Sequence, residues 1–144
     1  MIGILVTGHG NFATGLTSSL NLIAGMPQNY EAVDFLESYG VEQLAEKLNE
    51  AMDRLSNCEG ILVFSDLAGG SPFKTAVEVG MTKGNRVEVL AGTNLGMLIE
   101  LSMARGFIED MDTLVNMALE TGKSQVVHFQ FAQPTQQVEE EDGI

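Results

Sequence analysis

The chain predicts an α/β domain built on an open, mostly parallel, doubly wound sheet with helices on both faces. Two observations predict that class. Short apolar runs alternate with stretches whose apolar residues recur every three or four positions, and turns rich in Gly, Pro or Asn separate them. The third observation sets the size: 144 residues, 44% of them hydrophobic, supply one domain with a core of its own.

Taken in order, residues 2–6 form the first strand. Residues 12–23 form the first helix, with Phe12, Leu16, Leu20 and Ile23 on one face, and Gly25 followed by Pro27 ends it. Residues 30–35 make a short second strand. A second helix over 41–55 sets Leu44, Leu48, Met52 and Leu55 in register, and 57–60 supply the turn after it. Residues 60–64 are the most hydrophobic strand, expected to be central and buried on both faces. Residues 71–81 read as helix, 86–91 as a fourth strand, 94–104 and 109–119 as two more helices, and 126–131 as a fifth strand with no helix behind it. Residues 1–131 are therefore taken as the domain. From 132 to 144 the composition turns polar, with one proline and four consecutive acids from Glu139 to Asp142, so a disordered acidic tail or the stub of a linker is expected there. No internal repeat is visible.

Charge and cysteine content exclude several classes of function. Twenty acidic side chains against seven basic ones leave a formal charge of -13, and the acidic tail accounts for only part of it. Nucleic acid is excluded as a partner because a polyanion needs a basic footprint; a basic protein surface suits this chain better. Cys58 is the single cysteine, so neither an internal disulfide nor a cysteine metal site can form, and a reducing, cytoplasmic setting is expected. No apolar run approaches the roughly 20 residues of a membrane span, and no basic segment precedes the first strand.

Three loops follow strands and carry the chemistry: residues 7–11, 65–72 and 92–96. In a parallel sheet all three open on the carboxyl edge, where ligands of open α/β sheets bind and helix N-termini offer free N–H groups. The first holds His9 between Gly8 and Gly10. A neutral imidazole keeps a lone pair on one nitrogen and is a competent nucleophile toward phosphorus. The second reads Ser65-Asp66-Leu67-Ala68-Gly69-Gly70-Ser71-Pro72-Phe73: an aspartate just past a buried strand, two glycines, Ser71 as an expected N-cap and Pro72 at the first helical position. Asp66 is expected to bind one ring nitrogen of His9 and fix its tautomer, and backbone N–H groups around Gly69, Gly70 and Ser71 to hold phosphoryl oxygens. The third loop, Gly92-Thr93-Asn94, again sets a capping residue before a helix.

These pieces resemble the IIA component of the mannose-class (mannose, fructose and sorbose type) phosphoenolpyruvate-dependent sugar phosphotransferase system. The matching segments are Thr7-Gly8-His9-Gly10, Asp66 through Phe73, Ala91-Gly92-Thr93-Asn94 and a late Glu120-Thr121-Gly122 turn, and the resemblance runs over residues 1–131. Leu67-Ala68 stands where some members carry a bulkier, aromatic-containing pair. The resemblance implies a cytoplasmic homodimer in which His9 accepts phosphate from the carrier HPr and passes it to a IIB component, with Asp66 orienting the ring. Thr7, Gly69, Gly70, Ser71, Thr93 and Asn94 are the implied phosphate or partner wall. It implies no metal and no cofactor, phosphate arriving from phosphoenolpyruvate through Enzyme I and HPr, and only indirect contact with membrane IIC and IID subunits. It also implies that the last strand, 126–131, is antiparallel and exchanged between subunits.

Other readings share these residues. Gly8-His9-Gly10-Asn11-Phe12-Ala13 formally fits a dinucleotide fingerprint, with Asp34 placed for a ribose, although the chain is short for a dehydrogenase and His9 would crowd a pyrophosphate. A phosphotransferase subunit feeding dihydroxyacetone kinase and a noncatalytic adaptor are the remaining alternatives. His9 and Asp66 can also be read as strand-end packing and turn residues, Thr93 and Asn94 as caps, and Cys58 and His128 as structural.

Overall fold

Alternation along the first strand divides the interior in two. In the computed structural model, which describes residues 1–132, β1 (Gly3–His9) sends Ile4 and Val6 to one face of the sheet and Leu5 to the other. The first face is covered by α1 (Phe12–Ala24), α4 (Leu95–Ala104) and α5 (Met111–Ser124). Their Leu20, Met97, Leu98, Leu101, Leu114 and Ala118 pack there with Leu62 and Phe64. The second face is covered by α2 (Val41–Arg54) and α3 (Ser71–Gly80), whose Leu44, Leu48, Ala51, Met52 and Ala76 pack against Ile61 and Val63.

Phe64, Ile61 and Leu62 are no more than 1% exposed, as the apolar run predicts for a strand buried on both faces. That strand, β3 (Gly60–Ser65), lies beside β1, with β2 (Tyr30–Phe35) and β4 (Arg86–Leu90) outside them. The order is β2-β1-β3-β4 and every pairing is parallel. The chain winds one way from β1 to β2 and the other way from β1 through β3 to β4. The two directions separate between the carboxyl ends of β1 and β3, which is the switch point where open α/β sheets bind ligands.

Four of the five expected strands and all five helices are present in the expected order, the strand expected at 126–131 is not formed, and the ends of the others differ for local reasons. β1 continues to His9, in register with Phe35, so the histidine ends a strand instead of sitting in a loop. Gly70, not Ser71, is the N-cap of α3: its backbone is extended and its carbonyl accepts from the Lys74 N–H at 2.9 Å, so Ser71 takes the first helical position and Pro72 the second, one later than expected. α5 starts at Met111 because the Asp110 carboxylate accepts from the Thr113 N–H and hydroxyl, at 3.0 and 2.6 Å. It runs through Glu120-Thr121-Gly122, so the expected turn there is helix. Gly122 serves close packing in that helix, since a Cβ on it would lie 2.8 Å from the Met97 sulfur.

Residues 126–131 form no strand within the single chain. Their apolar side chains face solvent, with Val126 83% and Phe131 88% exposed. Apart from Ala132, the expected acidic tail lies outside the described residues.

Arg105, at the C-cap of α4, is 3% exposed. Its guanidinium donates to the carbonyls of Ile2 and Asn29, both at 2.8 Å, and to that of Gln28, which ties α4 to the chain entering β1 and β2. No helix among the described residues is long and apolar enough to cross a membrane.

Candidate functional site

His9 and Asp66 meet at the switch point because adjacent parallel strands, β1 and β3, end side by side. One carboxylate oxygen holds the histidine twice: Asp66 Oδ2 accepts from the His9 backbone N–H and from ring Nδ1, each at 2.8 Å. An ionised carboxylate only accepts, so Nδ1 carries the proton and Nε2 keeps its lone pair. The ring stays accessible, with 44% of the His9 side chain exposed against 13% of Asp66.

Burial alone would push the Asp66 carboxyl up. The hydrogen bonds from the His9 N–H and ring outweigh it, helped by the Leu67 N–H and the His9 charge, and hold the group below its ordinary value of 3.8. Asp66 therefore remains a carboxylate throughout the range in which imidazole changes charge.

Two further contacts fix where the ring sits. Phe35 at the end of β2 packs against it with centroids 5.9 Å apart and planes tilted by 53°. Below it lies Gly70, where a Cβ would come within 2.9 Å of His9 Cε1, so only glycine lets the backbone approach that closely. Gly69 has φ +74°, the left-handed turn that brings the loop back under the imidazole. The Gly70 N–H already donates to the Leu67 carbonyl at 3.1 Å. Ser71 and Phe73, in the first turn of α3, have N–H groups with no backbone acceptor, as helix N-termini leave them.

The third loop supports the second. The Gly92 N–H donates to the Asp66 carbonyl at 2.7 Å, and Thr93 reaches the Ser65 carbonyl with its N–H at 3.2 Å and its hydroxyl at 2.8 Å. Asn94 caps α4, accepting from the Met97 N–H at 3.1 Å and donating to the Gly122 carbonyl at 2.8 Å. Thr93 and Asn94 thus have their side chains engaged inside the fold, and Thr7 is buried beneath the histidine. The structure brings His9, Asp66, Gly69, Gly70 and Ser71 together at the surface, and it places Thr7, Thr93 and Asn94 behind them. Sequence reasoning missed Phe35, whose apolar position in β2 carries no mark of its neighbour, and the Gly92 bond to Asp66.

Asp34, the acid of the dinucleotide reading, is committed elsewhere. Its carboxylate accepts from the Thr14 N–H at 3.0 Å and the Thr14 hydroxyl at 2.6 Å, which fastens β2 to the first turn of α1.

Fold and site together define a doubly wound α/β domain that presents one carboxylate-bound imidazole at its switch point. The family model EIIA-man, described as PTS system fructose IIA component, matches residues 3–119. The chain belongs to this family, the mannose-class IIA components of the sugar phosphotransferase system. It is 36% identical over 125 residues to the PTS system mannose-specific EIIAB component of Escherichia coli (strain K12), covering 87% of this chain and 38% of that longer protein. It is 31% identical over 117 residues to the PTS system fructose-specific EIIA component of Bacillus subtilis (strain 168), covering 81% of this chain and 80% of that one. The solved mannose/sorbose specific IIA subunit from Enterococcus faecalis superposes with a TM-score of 0.82 at 26% identity, over 92% of this chain and 98% of the other.

Proposed function

We propose that this IIA component is a phosphohistidine carrier that takes a phosphoryl group from phospho-HPr on His9 Nε2 and hands it to a IIB component. One observation carries the reading: Asp66 Oδ2 binds both the backbone and Nδ1 of His9, which leaves Nε2 as the free nucleophile on an exposed ring.

In the forward step the Nε2 lone pair forms a bond to phosphorus while the N–P bond to the donor histidine breaks, and the donor imidazole leaves with that electron pair. No proton has to move. Nδ1 keeps its hydrogen, and the positive charge that develops on the ring is balanced by the Asp66 carboxylate, an interaction worth roughly 1.5–3 kcal/mol when partly buried. The N–H groups of Ser71 and Phe73, at the positive end of α3, suit the three phosphoryl oxygens. The reverse step, with a IIB side chain as nucleophile, restores the lone pair. The scheme uses neither metal nor cofactor, its phosphate coming from phosphoenolpyruvate through Enzyme I and HPr in the cytoplasm, and membrane subunits enter only through IIB.

The same reading makes the protein a homodimer. Segment 126–131 carries exposed Val127, Phe129 and Phe131 at alternate positions, and β4 ends the sheet with its outer edge unpaired among the described residues. An antiparallel strand from a second copy fits that edge.

Intact mass after incubation with phosphoenolpyruvate, Enzyme I and HPr tests the carrier role. Wild type is expected to gain one acid-labile phosphoryl group and His9→Ala none, with the variant's unfolding free energy within about 1 kcal/mol of wild type because His9 is exposed. Equal gain in both proteins contradicts the assignment of His9, and no gain in either contradicts the relay.

A further inference from the structure

We propose that Thr7 is a positioning residue for this site, acting through Asp66. Its hydroxyl, by way of one buried water, completes the hydrogen bonding of the carboxylate oxygen that does not touch His9. The inference rests on the reading of His9 as the nucleophile and explains how its carboxylate partner is held.

Thr7 precedes His9 by two residues in β1, so both side chains leave the strand on the same face. Its Cα pairs with that of Ser65, the residue before Asp66, and its side chain is fully buried. Among the described residues two buried side-chain polar atoms make no hydrogen bond within the chain: Thr7 Oγ1 and Asp66 Oδ1. Buried polar atoms without partners are rare, and these two belong to neighbouring strand ends, Thr7 pairing with Ser65 and Asp66 following it, which points to a common cause.

The pair is chemically complementary. A hydroxyl has a proton to give, and a carboxylate oxygen can only receive. Two neighbouring hydroxyls are already committed, Ser65 Oγ to the Leu90 carbonyl at 2.6 Å and Thr93 Oγ1 to the Ser65 carbonyl at 2.8 Å. A water that accepts from Thr7 and donates to Asp66 Oδ1 has the two polar partners a buried water requires. It restrains the carboxylate plane so that Oδ2 faces Nδ1. The titratable group acting on Asp66 is His9; Asp34 is turned onto Thr14, and Lys74 of α3 is exposed.

The test compares wild type, Thr7→Val and Thr7→Ser. In the unphosphorylated proteins, NMR follows the Asp66 carboxyl titration and the His9 ring-nitrogen tautomer. Thr7→Val is expected to raise the Asp66 midpoint by about one pH unit, the equivalent of one lost hydrogen bond. It should also loosen the Nδ1–H tautomer and slow phosphoryl uptake roughly tenfold at unchanged KM for the donor. Thr7→Ser is expected to restore all three. A purely structural Thr7 moves none of these in a folded variant, so an unchanged titration and tautomer in Thr7→Val overturns the inference. If Thr7→Val does not fold, the wild type decides: an NOE from the Thr7 methyl to a long-lived water is expected, and its absence is the contrary result. Wild type that takes up no phosphate would refute the carrier reading instead, and the titration experiment separates the two failures.

Discussion

At the residue scale, the chemistry reduces to which nitrogen of His9 is free, and that is decided by a single oxygen. Asp66 Oδ2 takes the backbone N–H and Nδ1 together, so strand geometry and ring tautomer are set by one contact. Asp66→Asn keeps the shape and removes the charge. Its amide can donate as well as accept, which admits the opposite tautomer, and phosphoryl uptake is expected to slow roughly 10- to 100-fold with the fold intact. An unchanged uptake rate would remove Asp66 from the mechanism. The same contact has a pH signature. Because the folded state holds the Asp66 carboxyl below 3.8, its stabilisation is complete above that value and is lost as the pH falls through the lower folded value. Denaturant titrations should therefore show wild type losing its advantage over Asp66→Asn only below about pH 4. An advantage lost between pH 5 and 7 would contradict the assignment. His9 between two glycines and Asp66 after a buried strand were legible as a pair in the sequence. Their shared oxygen was not, because it depends on β1 and β3 ending level, which no local pattern encodes.

At the element scale, hydrophobic period was the reliable guide and the ends of elements were not. All four strands and five helices of the described chain fall where periodicity places them, since burial of a repeating face decides element type. Ends follow from particular partners. β1 reaches His9 because β2 offers Phe35 beside it, and α5 passes through Gly122 because that glycine packs on Met97. Arg105 carries no mark of burial in the sequence, yet it is buried on three carbonyls of the segments that enter β1 and β2.

Asn94 separates structural from functional roles within the third loop. Both ends of its amide are engaged, one capping α4 and the other bonding Gly122. Asn94→Ala is expected to lower unfolding free energy by about 1–2 kcal/mol while leaving phosphoryl uptake within roughly twofold of wild type. A stable variant with lost uptake would place Asn94 in the phosphate wall after all.

At the scale of the whole molecule, the proposed dimer rests on two features of the described chain: an open β4 edge and an exposed apolar segment after α5. The segment's alternation was legible as a strand, but a strand exists only with a partner, and the described residues supply none. Sedimentation equilibrium is expected to show a dimer for the full chain and a shift toward monomer for a variant carrying Lys in place of Phe129 and Val127. A full chain that stays monomeric at high concentration would contradict the exchange.

The most direct test of the central claim is ring-nitrogen NMR on the phosphorylated protein, labelled with 15N in histidine. Phosphorus coupling is expected at Nε2 of His9, with the Nδ1 proton retained. Coupling at Nδ1, or phosphate on His128, would contradict it.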